Sequence, residues 1–129
     1  MIKLQLIGEF VFSKKDLQKR NYSKSIMTDC WMKLVINDDL FFDDWICPLE
    51  LYFQYLDWKE DYKNGVIRNF EYISDDNGNN PILCFKEIDN RWIAYSVLTN
   101  RSSNYITFQD VLYFFELFTL QLMQHQENK

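Results

Sequence analysis

The chain reads as an α+β domain: an antiparallel sheet of about five strands with two helices packed on one face, in the order β-β-α-β-β-β-α. Three observations predict this. Several short runs alternate apolar and polar residues with period two, two longer runs carry apolar residues at helical spacing, and the breaks between them are short and polar. With only 3 Gly and 2 Pro among 129 residues, the chain has little material for long irregular loops, and residues 1–129 are expected to form one domain.

The first strand starts with Ile2, Leu4 and Leu6 alternating with Lys3 and Gln5, and resumes at Phe10 and Phe12 after a bend at Gly8. A basic connection, Ser13 to Ser25, follows. The second strand sets Cys30, Met32, Leu34 and Ile36 against Trp31, Lys33 and Val35, and ends at the turn-forming Asn37-Asp38-Asp39, after which Leu40 to Asp43 return briefly as a hairpin arm. Pro48 suits the first position of a helix, and no breaker interrupts Leu49 to Tyr62. Steps of about 100° place Glu50, Gln54, Asp57 and Asp61 in one narrow stripe. The apolar arc around them is roughly 220° wide, more than one buried face requires. Either a second element covers its Leu51, Tyr55, Trp58, Tyr62 edge, or that edge is open to a partner.

Phe70 to Ser74, Pro81 to Ile88 and Arg91 to Leu98 read as three further strands, joined by Asp75 to Asn80 and by Asp89-Asn90, residues that tolerate left-handed backbone. Thr107 with Asp110 three residues on resembles a capping box and opens a helix to about Gln124. Its core stripe is Phe108, Val111, Leu112, Phe115, Phe118 and Leu122, while Phe114, Leu117 and Leu120 lie off it. The tail after Gln124 is expected to fray.

Charge is segregated along the chain. Residues 1–36 carry net +4, residues 37–80 net -8 and residues 81–129 net -1, giving the formal -5. An acidic chain of pI ≈ 4.8 is poorly suited to clamp nucleic acid, which needs clustered Lys and Arg against phosphates. The one basic cluster, Lys14, Lys15, Lys19, Arg20 and Lys24, reads as a solvated connection that screens the acidic region. No basic leader precedes an apolar run at the N-terminus, and no run approaches the roughly 18 apolar residues of a spanning helix, so a cytoplasmic location away from membranes is expected.

The side chains of chemistry are few. His125 is the single histidine and falls in the polar tail, a poor place for a general base, which must be held against a reacting proton. Cys30, Cys47 and Cys84 lack CxxC spacing and sit in apolar surroundings, which points to buried reduced thiols and no metal site. Gly8, Gly65 and Gly78 are isolated, so no phosphate-cradling loop exists. Asp38-Asp39 and Asp43-Asp44 flank Leu40-Phe41-Phe42, but the central Gly and terminal Glu of a calcium loop are absent. The chain is therefore read as a non-enzyme without cofactor. Of the four tryptophans, Trp45 and Trp58 stand beside carboxylates and are the two expected at the surface. An indole beside carboxylates suits a basic protein partner, whose Arg or Lys the acids steer and the ring stacks upon. The expected contact set is Asp43, Asp44, Trp45, Glu50, Asp57, Trp58 and Asp61.

The run Ile36-Asn37-Asp38-Asp39-Leu40-Phe41-Phe42-Asp43-Asp44, then Pro48-Leu49-Glu50 and Trp58, resembles small bacterial immunity proteins of secreted or contact-delivered toxin systems. Tyr72-Ile73-Ser74, Pro81 to Phe85 and Arg91 to Ser96 continue the resemblance. It implies a non-catalytic α+β protein that neutralises a cognate toxin. An acidic surface could then occlude a basic active site such as a nuclease cleft. Two other readings stay open: a homo-oligomeric structural or adaptor domain, homodimeric through Phe114, Leu117 and Leu120, and a small-ligand pocket lined by Tyr and Trp.

Overall fold

The computed structural model describes residues 1–74 and 80–127. Its elements are β1 (Ile2–Ile7), α1 (Lys14–Gln18), α2 (Tyr22–Met27), β2 (Cys30–Ile36), β3 (Asp39–Ile46), α3 (Pro48–Lys63), β4 (Phe70–Ile73), β5 (Pro81–Ile88), β6 (Arg91–Ser96), β7 (Arg101–Ser102) and α4 (Phe108–Met123). The α+β class and antiparallel pairing hold. The single sheet of about five strands does not: the described strands form two antiparallel sheets, β1-β2-β3 and β4-β5-β6-β7.

Two causes account for the extra strands. Asn37 (φ 50°) and Asp38 (φ 69°) make a two-residue left-handed turn, so β3 returns along β2 as a full arm, and Phe41, Phe42 and Ile46 bury along it. Two-residue β7 is too short for periodicity to reveal. Asp89 (φ 53°) and Asn90 (φ 65°) build the second such turn, between β5 and β6 as expected. The other expected hairpin loop, Asp75 to Asn80, falls mostly outside the described residues.

The basic connection is not irregular. Ser13 caps α1 in a reciprocal box with Asp16, and the Asn21 side chain caps α2. The Ser13 backbone N–H, bonded to the Asp16 carboxylate at 2.8 Å, is the main reason that this acid's pKa lies below its usual range. Past Gly8 the chain leaves the sheet, and Phe12 forms a lone parallel bridge with Gln126. That bridge corrects the expectation of a fraying tail as far as Glu127. The Glu127 N–H donates to Phe12 O (2.8 Å), and the His125 ring stacks on Phe10 at 3.9 Å.

The core is continuous and aromatic. Phe115 of α4 meets the rings of Tyr55 (4.3 Å), Trp58 (5.1 Å) and Phe70 (4.9 Å), so α4 covers the Leu51, Tyr55, Trp58, Tyr62 edge of α3. Phe114, expected off the core stripe, is fully buried against Phe85 at 5.0 Å. Of the proposed dimer trio only Leu120 is exposed.

Each sheet edge meets a side chain of another element. Gln121 of α4 accepts from the Leu6 N–H (2.8 Å) and donates to Leu4 O (2.6 Å) along β1. Gln54 of α3 does the same at Ile73 of β4, donating at 2.7 Å and accepting at 2.9 Å. Arg101 of β7 donates to Leu40 O of β3 (3.0 Å) and pairs with Asp39, tying the remaining edge strands together.

Candidate functional site

The expected contact residues separate into three places. Glu50 and Trp58 are inside: Trp58 is 1% exposed, and its indole N–H donates to Arg68 O at 2.7 Å. Expecting Trp58 at the surface is thereby corrected. Its neighbours in sequence are polar, but a helix separates successive residues by about 100°, so Asp57 and Lys59 say little about its own direction. Glu50, placed by sequence on a solvent stripe, is 6% exposed and lies against the Tyr72 phenol in the first turn of α3. A carboxylate there answers the positive end of the helix.

Asp57 and Asp61 are on the surface but engaged within the chain. Asp57 pairs with Arg20 at 2.7 Å, which joins the basic connection to α3, and Asp61 pairs with Arg68 at 2.6 Å. They also lie about 14 and 20 Å along α3 from its start, away from β3. The stripe is thus largely internal stitching: Gln54 to β4, Asp57 to the basic segment, Asp61 to the chain leading into β4.

Asp43, Asp44 and Trp45 lie together in β3, in a strand and not in an Asp-rich turn. Alternation sends Asp43 and Trp45 to the outer face of the sheet and Asp44 to the inner face opposite Met32, where its carboxylate accepts from the Trp45 N–H at 2.7 Å. An inward charge on an edge strand discourages pairing with other chains. On the outer face, pairing register aligns Ile7, Trp31 and Trp45 in one cross-strand row, with Gln5, Lys33 and Asp43 in the next. Trp45 is 56% exposed and meets Trp31 edge-on at 5.2 Å, while the Trp31 indole N–H donates to the Asp43 carboxylate. Such an edge-on pair fixes both rings, at about 0.5–1.5 kcal/mol beyond burial.

Trp31, taken from sequence as a core anchor, is therefore the member of this surface that the expectation missed. The signal was present: Trp31 alternates with Lys33 and Val35, opposite the fully apolar Cys30, Met32, Leu34, Ile36 face.

Trp45 also lines a cleft of ≈ 220 Å³ between the two sheets. Asp29, one residue beyond the Cys30–Ile46 pair, stands at one side, Ile46, Ile82 and Leu98 form apolar walls, and Cys47, Tyr72 and Ser74 complete the lining. The Tyr72 hydroxyl accepts from the Cys47 N–H at 2.9 Å, at the junction of β3 and α3. Burial raises the Tyr72 pKa above the usual phenol range and, with Asp29 and Cys47 adding, pushes the Cys30 thiol up to about 12. Cys84 is raised by burial too, so neither of these two thiols is an activated nucleophile. Among the described residues no three His, Cys, Asp or Glu side chains gather as metal ligands, and no helix is long and apolar enough to cross a membrane.

Residues 4–128 match the model of a domain of unknown function, DUF7878, and the chain belongs to that family. No curated protein and no solved structure matches it.

Proposed function

We propose that the chain is a non-catalytic, cytoplasmic protein-binding domain that neutralises a cognate bacterial toxin by covering a basic site on it. Its contact surface is the outer face of the first sheet, with Trp45 and Trp31 as anchors and Asp43, cross-strand from Lys33, as the adjoining carboxylate. The edge-on pair of exposed Trp45 with half-buried Trp31 carries this reading. Tryptophan dominates binding hot spots, and two rings already held by each other and by Asp43 lose little freedom on docking. The net charge of -5 supports a basic partner, and a phosphate-binding nuclease cleft is the site that suits it best. The resemblance to immunity proteins supplies the toxin.

The test is co-expression with the toxic domain of a secreted protein encoded beside this chain. A stable complex that protects the cell is expected, with Trp45→Ala weakening it about 100-fold, the effect of losing a hot-spot aromatic. Failure to form any complex would overturn the reading. A homo-oligomeric adaptor draws support from Tyr113 and Leu120, exposed seven residues apart on α4. A sedimenting dimer broken by Leu120→Glu would favour it instead.

A further inference from the structure

Resting on the reading of a basic protein partner, we infer that the cleft beside Trp45 is the receptor for one arginine side chain of that partner. Size comes first. At ≈ 220 Å³ the cleft is smaller than the roughly 300–1,000 Å³ of sites that enclose drug-sized ligands, and suits a single side chain.

The chemistry of its lining then selects among side chains. Ile46, Ile82 and Leu98 give apolar contact for a methylene stem, the exposed Trp45 indole offers a face for a planar cation, and Asp29 supplies a carboxylate. Arginine uses all three at once: its guanidinium stacks and pairs with a carboxylate through two parallel N–H donors. Lysine, a compact and strongly hydrated point charge, uses the stem and the carboxylate only. The start of α3 lies at the same cleft through Cys47, and a helix N-terminus alone favours anions. Glu50 in its first turn and Asp29 in the cleft lining oppose an anion there.

The experiment is a titration of the whole chain with N-acetyl-arginine amide, following the backbone N–H resonances of Ile46 and Ile82 in the cleft wall by NMR, with the lysine and glutamate amides as controls. Saturable binding of the arginine amide is expected, with a Kd on the order of a millimolar for so small a ligand. Asp29→Asn should weaken it about tenfold, as for a lost charge-assisted bond, and Trp45→Ala should abolish it in a chain that keeps its fold by circular dichroism. Equal binding of all three amides, tighter binding of the glutamate amide, or indifference to Asp29→Asn would overturn the inference. The two readings fail separately. A chain that captures its toxin but ignores arginine amide loses the cleft assignment and keeps the partner. One that binds arginine amide but captures no basic protein keeps the cleft chemistry and loses the partner.

Discussion

Trp58 shows what a single residue does here. Its indole lies parallel to Tyr62 (5.7 Å), edge-on to Phe70 (6.4 Å) and tilted against Phe115 (5.1 Å), and its N–H satisfies Arg68 O. Trp58→Ala should cost about 3–5 kcal/mol, as large-to-small core changes do, and Trp58→Phe about 0.5–1.5 kcal/mol for the part-buried hydrogen bond to Arg68 O that it removes. Urea denaturation distinguishes the two. Cys30 gives a prediction in pH. Its folded pKa of about 12 lies above the roughly 8.5 of an exposed thiol, so its stabilising contribution is complete below the unfolded value and lost as pH rises toward the folded one. Tyr52, Tyr55, Tyr72 and Cys84 are all raised by burial and act in the same direction. The denaturation midpoint should therefore fall steadily above about pH 9, with a shallower fall in Cys30→Ala. A midpoint that is flat to pH 11 would refute this.

Elements in this fold are tied by side chains that sequence periodicity treats as solvent-facing. Gln54 and Gln121 each hold both polar groups of a sheet edge, one at Ile73, the other at Leu4 and Leu6. Removing such a side chain strands backbone groups in partly buried surroundings. Gln54→Ala should cost about 1–3 kcal/mol and reduce hydrogen-exchange protection at Ile73. Arg20→Ala, which deletes a pair with two well-exposed partners, should cost under about 1 kcal/mol. The contrast between these two variants measures which contact holds α3 in place. Removal of residues 125–129 tests the docked tail: losing the Phe12 bridge and the His125–Phe10 stack should lower the thermal midpoint measurably, whereas a frayed tail would leave it unchanged.

At the scale of the molecule the acidic excess matters by position. Reversal at Asp57 or Asp61 acts beside Arg20 or Arg68 and far along α3, while reversal at Asp43 acts beside the Trp31–Trp45 pair. With a toxin partner in hand, Asp43→Lys should slow association and flatten its salt dependence more than Asp57→Lys does. Stopped-flow mixing at two ionic strengths reads the difference, and equal effects would move the contact surface away from β3.

Much of the fold was legible from the chain alone. Alternation marks β2, short apolar runs bounded by turn residues mark β5 and β6, Asn37-Asp38 and Asp89-Asn90 mark the tight turns, and Pro48 and Thr107 mark the starts of the long helices, because each of these depends on local backbone geometry. Ser13 and Asn21 carry cap chemistry as well, but α1 and α2, of 5 and 6 residues, are too short to show a helical period. Of the contact set, Trp45 and Asp43 were placed at the surface by their neighbours, and the structure keeps them there. What only the tertiary structure decided is the direction of each remaining acid and ring. Whether Glu50 faces Tyr72, Asp57 meets Arg20 or Trp58 enters the core depends on residues distant in sequence, and no periodicity within α3 encodes them. The division of the seven described strands into two sheets has the same origin: local pattern sets that a segment is extended, while long-range burial and edge closure set which segments pair.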